Sequence, residues 1–239
     1  MQNYAEILNE ALTAKNNEEY AEAVRLFSEA LKLNPQEAKT WFYRANVYNH
    51  SLKEYQKALN DYNQAIELKN DDEFYYYNRA LCYLNLAEVD LALDDYNQAL
   101  KINPDYALAL WDRALILAQD EEYEQAIADL KRVLELSPYS AAIVYKDLGG
   151  IYYQMEDCAK ALECYNQSLQ LDSYSIYAYK GRGNLYFTLG EYEKSLADYN
   201  KVSELDSNDK EAINKRIMIY QKMGRLDLAE AEKVKLKLS

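Results

Sequence analysis

The sequence contains one short pattern four times: Asp61-Tyr62-Asn63-Gln64-Ala65, Asp95-Tyr96-Asn97-Gln98-Ala99, Cys164-Tyr165-Asn166-Gln167-Ser168 and Asp198-Tyr199-Asn200-Lys201-Val202. Aligned on this pattern, the 239 residues divide into units of 34 or 35 residues and a shorter last unit. The predicted units are residues 4–37, 38–72, 73–106, 107–141, 142–175, 176–209 and a terminal capping unit, 210–239. A fixed period in this range is the signature of a repeat protein, so we predict a tandem array of one structural unit.

Small and large residues recur at matching places of the units. Small residues stand at the eighth place: Ala11, Ala45, Ala80, Ala114, Gly149 and Gly183. A second series of small residues, later in each unit, is followed four residues on by Phe27, Tyr62, Tyr96, Leu130, Tyr165 and Tyr199. Spacings of three and four residues are helical, and a polar turn separates the two halves of each unit. We expect antiparallel helix pairs in which a small residue admits a ring from the neighbouring helix.

These helix pairs resemble the tetratricopeptide repeat (TPR) over essentially the whole chain. Repeat 2 carries the family pattern at Trp41, Ala45, Tyr48, Ala58, Tyr62 and Ala65. Repeat 3 carries it at Tyr76, Ala80, Tyr83, Ala92, Tyr96, Ala99 and Pro104. The resemblance implies an all-α fold, a right-handed superhelical α-solenoid over residues 1–239 whose first helices line a concave face. Repeats 2 and 4 hold one extra residue each, and we expect that of repeat 2 in the turn around His50-Ser51-Leu52-Lys53.

Arginines and acids occur together in the units. Five units place an arginine before the small eighth residue and an acid 16 or 17 residues later. The predicted salt bridges are Arg44–Asp61, Arg79–Asp95, Arg113–Asp129, Arg182–Asp198 and Arg216–Glu232. The two units that lack the arginine, repeats 1 and 5, also lack the acid. We therefore predict a bridge within each unit, with two independent solvated charges as the alternative.

Composition excludes several classes of function. A net charge of −13 argues against binding to nucleic acid, because the chain would repel the phosphate backbone. No segment has the roughly 18 apolar residues of a membrane span, and no signal peptide is visible. One His and 3 Cys argue against a zinc module and a disulfide framework. We expect free thiols, no cofactor and a cytoplasmic protein.

No motif predicts catalysis. The single histidine, His50, is interpreted as a turn residue rather than a general base. Cys158 and Cys164 are six residues apart, which places them on different faces of a helix and not together as a metal or redox pair. Gly181-Arg182-Gly183 lies within the helical pattern and lacks the strand and the Gly-Lys-Ser/Thr ending of a phosphate loop. An enzyme is therefore the least favoured hypothesis.

The TPR resemblance also implies where a partner would bind, because places 2, 5, 9 and 12 of its units generally face the concave side. The candidate partner-binding residues here are Asn46, Phe74, Tyr77, Leu81, Leu84, Leu108, Trp111, Leu115, Tyr177, Lys180 and Asn184. Most of repeats 3 and 4 is apolar at these places, which indicates an interaction site. The alternatives are that Trp111 and its neighbours are core, or that a second copy or the N-terminal helix covers them.

The leading hypothesis is a noncatalytic scaffold or adaptor that holds an extended or helical protein segment, basic or apolar, in this groove. The alternative is a structural scaffold that associates with itself through the same apolar strip or through its ends. Lys180 and Asn184 match the first pair of a clamp with which some TPR proteins hold a C-terminal carboxylate. Asn214 is one place out of step with that clamp, so we do not expect it here.

Overall fold

A computed structural model describes residues 3–238, apart from the side chains of residues 235, 237 and 238. Within this range it contains α-helices, one π-helical and one 3₁₀ segment, and no strand. In the first half the helices are α1 (Tyr4–Asn16), α2 (Tyr20–Leu33), α3 (Ala38–Asn46), α4 (Tyr55–Leu68), α5 (Glu73–Asn85), α6 (Val89–Ile102) and α7 (Ala107–Gln119). In the second half they are α8 (Tyr123–Leu136), α9 (Ala141–Gln154), α10 (Cys158–Leu171), α11 (Ile176–Thr188), α12 (Tyr192–Leu205), α13 (Lys210–Lys222) and α14 (Leu226–Leu238).

The backbone forms two compact units, Met1–Ile116 and Leu117–Ser239. In the first, α1 packs on α2, α3 on α4 and α5 on α6, and each pair contacts the next through α2–α3 and α4–α5. In the second, α9 packs on α10, α11 on α12 and α13 on α14, again with contacts between successive pairs. The predicted all-α fold of tandem helix pairs is confirmed. The organisation of residues 1–239 as one solenoid stays a prediction.

Rings packed against small residues form the core of the pairs. Tyr62, Tyr96 and Tyr199 are fully buried. A Cβ atom added to Gly149 would lie 2.8 Å from the Tyr165 ring, and one added to Gly183 would lie 2.9 Å from the Tyr199 ring. The predicted approach of a large ring to a small residue is therefore confirmed at both glycines.

The turn between the helices of a pair has one conformation throughout. A residue with positive φ occupies it in every repeat: Glu18, Lys53, Ala87, Glu121, Glu156, Gly190 and Gly224. In every repeat except the second, the next residue donates its backbone N–H to the carbonyl five residues back, as Glu88 does to Tyr83. This bond satisfies a carbonyl at the end of the first helix, and the left-handed residue turns the chain toward the second.

The extra residue of repeat 2 lies in the predicted stretch around His50, but in a helical segment and not in a turn. Lys53 is the left-handed residue there, as in the other repeats, but Glu54 donates to Tyr48, six residues back. The extra residue is absorbed in a π-helical segment over Val47–Leu52, which contains His50, Ser51 and Leu52. The extra residue assigned to repeat 4 is taken up in α9, which begins at Ala141, one residue before the predicted unit start, and has 14 residues where α7 and α11 have 13.

Arginines connect neighbouring helices in a repeating arrangement. Arg79 donates from Nε and Nη2 to the two carboxylate oxygens of Asp95, both at 2.7 Å, and from Nη1 to Asn63 Oδ1 at 2.6 Å. Because Asn63 belongs to the preceding repeat, Arg79 joins three helices, α4, α5 and α6. Its guanidinium also lies 5.7 and 5.8 Å from the ring centroids of Tyr76 and Tyr83.

The same arrangement recurs along the chain. The confirmed bridges are Arg44–Asp61, Arg79–Asp95, Arg182–Asp198 and Arg216–Glu232. The acceptors in the preceding repeat are Ser28, Asn63, Asn97, Asn166 and Ser203, for Arg44, Arg79, Arg113, Arg182 and Arg216. The Arg113–Asp129 bridge stays a prediction.

Two adjacent glycines of α9 test the ring packing. Gly150→Ala adds a methyl group with nothing closer than the Tyr165 hydroxyl at 3.9 Å, so better helix propensity should raise the free energy of unfolding by up to about 1 kcal/mol. Gly149→Ala drives its methyl group into the Tyr165 ring and should lower that free energy by about 1–2 kcal/mol. Urea unfolding of both variants measures the difference, and an equal gain for the two would contradict the packing.

Candidate functional site

Seven predicted partner-binding residues form what we call the first-helix strip: Phe74, Tyr77, Leu81 and Leu84 of α5 with Leu108, Trp111 and Leu115 of α7. Steps of three and four residues place each group on one face of its helix. Phe74 is 50% exposed, Leu108 51% and Leu115 38%, and the other four are partly exposed. Phe74 is therefore open to solvent, whereas Tyr77 and Trp111 are partly exposed and partly packed, and none of the three is fully enclosed.

Tyr106, just before α7, joins the two halves of the strip. Its ring centroid lies 5.4 Å from that of Phe74 and 5.0 Å from that of Tyr77, both in edge-on geometry. The Tyr77 ring continues to the buried Tyr96 at 5.8 Å. The sequence analysis did not single out Tyr106, although an aromatic residue directly before a first helix was a visible signal.

Asp112, beside Trp111 on α7, is a further residue that the sequence analysis missed. Its Oδ2 accepts hydrogen bonds from the hydroxyls of Tyr77 at 3.0 Å and Tyr96 at 3.4 Å. Burial raises the pKa of the Asp112 carboxyl, and the two phenol hydrogen bonds oppose that shift. No basic side chain among the described residues pairs with this carboxylate.

A cleft of about 260 Å³ lies at the Phe74 end of the strip, and we call it the aromatic cleft. It is lined by Lys39, Phe42, Tyr43, Asp72, Phe74 and Tyr75. The Phe42 and Tyr75 ring centroids are 4.8 Å apart. Tyr75 is only 2% exposed, and its hydroxyl has no hydrogen-bond partner among the described residues. Burial, followed by the nearby Asp72 carboxylate, raises the Tyr75 pKa.

Asn46 lies on α3 and has a structural contact. Its Oδ1 accepts a hydrogen bond of 2.6 Å from the hydroxyl of Tyr62. Asn46 also lines a second cleft, of about 310 Å³, with Lys15, Tyr20, Val47, His50 and Ser51. His50 Nε2 lies 3.3 Å from Asn78 Oδ1, which connects the π-helical segment to α5.

The three remaining predicted residues belong to the unit Leu117–Ser239. Tyr177 is 73% exposed. Lys180 Nζ lies 2.6 Å from Asp209 Oδ2 and 2.8 Å from Glu211 Oε2, and Asn184 Oδ1 accepts a hydrogen bond from Tyr199 at 2.8 Å. Lys180 and Asn184 thus have partners within their own unit, and their role in partner binding stays a prediction.

Family models support the repeat pattern. Models described as tetratricopeptide repeat match residues 8–73, 74–106, 105–173 and 176–209. The chain belongs to the tetratricopeptide repeat family. The resemblance seen in the sequence is therefore confirmed for this TPR protein. No curated protein matches its sequence significantly.

Solved structures similar to this TPR protein show the same fold. A tetratricopeptide repeat protein from Parabacteroides merdae is 22% identical, with a TM-score of 0.77 over 98% of this chain and 92% of that one. PilF of Pseudomonas aeruginosa is 20% identical, with a TM-score of 0.69 over 85% and 91%. YrrB, a TPR protein described as having an unusual peptide-binding site, is 21% identical, with a TM-score of 0.67 over 79% and 96%.

Membrane-spanning helices, metal ligands and reactive thiols are further features that bear on function. No helix within residues 3–238 has the length and apolar character to cross a bilayer. The same residues contain no group of His, Cys, Asp and Glu side chains placed to hold a metal ion. Cys82 and Cys164 are buried free thiols, and burial raises the pKa of each to about 11. These two thiols are therefore poor nucleophiles at neutral pH.

Two tyrosine variants test whether the Tyr75 hydroxyl lacks a partner. Tyr75→Phe removes a buried polar group without a hydrogen bond, so the free energy of unfolding should stay the same or rise by up to about 1 kcal/mol. Tyr62→Phe removes the donor to Asn46 and should lower it by about 1 kcal/mol. Urea unfolding provides both values. A loss for Tyr75→Phe as large as that for Tyr62→Phe would show that the Tyr75 hydroxyl is bonded within the protein.

Proposed function

We propose that this protein is a noncatalytic interaction scaffold or adaptor that binds an extended or helical protein segment on the first-helix strip. The observation that carries the proposal is the exposed row of apolar side chains, with Phe74 and Leu108 each about half exposed. Aliphatic and aromatic residues that stay in solvent along one face of a monomer favour an interaction site. Membership of a repeat family that stacks helix pairs into binding surfaces supports the same function.

The geometry of the strip suits a polypeptide ligand. The aromatic cleft offers room for one apolar side chain, and Phe74, Tyr77 and Trp111 offer rings on which a segment can lie. Buried aromatic anchors commonly dominate the free energy of such interfaces. Because the strip is carried on two helices that pack into a folded unit, binding orders little of the receptor.

The structural relatives are consistent with this proposal. YrrB is described as having a peptide-binding site, and Cut9 was solved in a hetero-tetramer with Hcn1. Three free thiols, two of them buried, fit a reducing compartment, so we place the proposed adaptor in the cytoplasm. Self-association through the same strip is the competing function, since an exposed apolar face also suits a second copy.

Alanine at two positions of the strip tests the proposed function. Trp111→Ala and Phe74→Ala should weaken binding of a protein captured from the native host by at least about 10-fold, with the thermal transition preserved. Tyr139→Ala, which removes a fully exposed ring of the other unit, is the matched control and should leave binding unchanged.

Sedimentation of the purified wild type separates the two functions. An adaptor keeps one sedimentation coefficient as its own concentration changes. A concentration-dependent dimer that Phe74→Ala abolishes, without any captured protein, would replace the adaptor by the self-associating scaffold. Collapse of the thermal transition in Trp111→Ala would identify the indole as core.

A further inference from the structure

We propose that the bound segment places a lysine or arginine side chain on the Asp112 carboxylate and an apolar side chain in the aromatic cleft. This inference rests on the proposed function and specifies the chemistry of the partner. The relevant residues all lie in the unit Met1–Ile116: the first-helix strip, Tyr106, Asp112 and the aromatic cleft.

The Asp112 carboxylate has one oxygen available for such a ligand. Both phenol hydroxyls, from Tyr77 and Tyr96, donate to Oδ2, and no described residue donates to Oδ1. Asp112 is partly exposed, and its Oδ1 is not among the fully buried atoms that lack a partner, which leaves this oxygen within reach of a ligand. A guanidinium or ammonium group that donates to Oδ1 would form a charge-assisted hydrogen bond in a partly desolvated site.

The surroundings of Asp112 have one feature in common with the sites in which the chain holds its own arginines: a partly buried carboxylate close to tyrosines. Arg79 lies between the rings of Tyr76 and Tyr83 while it bonds Asp95. Arg44 and Arg182 repeat this combination of one carboxylate and two rings. Asp112 bonds to the tyrosines Tyr77 and Tyr96, and the Tyr106 ring packs on Tyr77, but no cation of the described chain completes the group. A cation from a partner would complete it by pairing with the carboxylate.

In repeat 5, the carboxylate that corresponds to Asp112 has a cation beside it. Asp147 occupies that position, and its Oδ1 lies 2.6 Å from Nζ of the preceding residue, Lys146. The residue directly before Asp112 is Trp111, which carries no charge. Repeat 5 thus supplies its own cation to this carboxylate, whereas repeat 4 leaves the carboxylate for a ligand.

A second observation comes from the aromatic cleft. Tyr75 lines it together with Phe42, and the two ring centroids are 4.8 Å apart. An apolar side chain of a bound segment would fill the cleft beside these rings. Phe74 lines the cleft and also contacts Tyr106, so the cleft is linked through Tyr106 and Tyr77 to Asp112 by packed rings.

Charge complementarity favours a basic segment over an acidic one. The chain carries a formal net charge of −13, and a field of this sign speeds the encounter with positive segments. Burial raises the pKa of the Asp112 carboxyl, so its ionised form lowers the stability of the fold, and a bound cation would offset this cost. Asparagine at this place keeps an oxygen that accepts from the two phenols and carries no charge.

The test uses the full chain and a random twelve-residue peptide library displayed on phage. The library is selected on wild type, on Asp112→Asn, and on Asp94→Asn, a control that removes the same charge from an exposed site on α6. Wild type and Asp94→Asn should select peptides with Lys or Arg at one fixed distance from an apolar residue. Asp112→Asn should retain the apolar residue and lose the basic one.

Synthetic peptides then measure the coupling between the basic residue of the peptide and the Asp112 carboxylate. Replacing the selected Arg by citrulline, or Lys by acetyl-lysine, should raise Kd by about 10-fold for wild type and Asp94→Asn, and by about 2-fold or less for Asp112→Asn. The urea midpoint of Asp112→Asn should equal or exceed that of wild type. A large drop in that midpoint would make Asp112 a structural residue and overturn the inference.

The remaining outcomes separate this inference from the proposed function. Peptides that bind wild type, and are weakened by Trp111→Ala, but show no preference for a basic residue would overturn the role of Asp112 alone. The role of Asp112 would also be overturned if replacing the basic residue by citrulline or acetyl-lysine weakened binding equally for wild type and for Asp112→Asn. Failure of wild type to bind any peptide would overturn the proposed function as well.

Discussion

The packing of a ring against a small residue within each helix pair determines how closely the two helices lie and which of their faces remain exposed. At Gly149 and Gly183 there is no room for an added Cβ beside Tyr165 and Tyr199, so the helices lie as close as their backbones allow. When two helices pack this closely, each buries one of its faces in the pair. The opposite face of each first helix remains exposed. The first-helix strip is a consequence: α5 and α7 present Phe74 and Leu108 to solvent because their opposite faces hold the core.

Arginines fix how successive pairs meet. Each of Arg44, Arg79 and Arg182 bonds an acid of its own repeat and an oxygen of the repeat before, so a shift of register would break three hydrogen bonds. Burial raises the pKa of the Asp95 carboxyl in spite of Arg79, which indicates that desolvation offsets much of the attraction. The arginines therefore contribute more to register than to the free energy of unfolding. The Asp112 carboxylate also lies close to tyrosines but has no cation of the described chain beside it, which makes it suited to a ligand.

The sequence predicted what depends on local periodicity. Helix pairs, small residues facing rings, and four Arg–acid bridges all follow from positions that recur from repeat to repeat. The sequence did not predict the π-helical segment, because one extra residue fits either a turn or a helix and only packing decides between them. Nor did it predict Asn63 as an acceptor, although Asn63 is part of the recurring pattern, because its partner lies in the next repeat. Tyr106, Asp112 and the aromatic cleft were missed for a similar reason, since contacts between neighbouring repeats create them: Tyr106 and Asp112 contact α5, and the cleft lies between residues of α3 and the start of α5.

Site-specific photo-crosslinking tests the central claim, that the first-helix strip receives another polypeptide, most directly. A photoreactive amino acid is placed at Leu108 of the strip and, separately, at Leu91 of α6, a second-helix leucine that is also exposed. In extract of the native host, the account predicts a covalent adduct with a different protein from position 108 and none from position 91. Adducts only with a second copy of this chain, or equal yields of the same adduct from both positions, would contradict it.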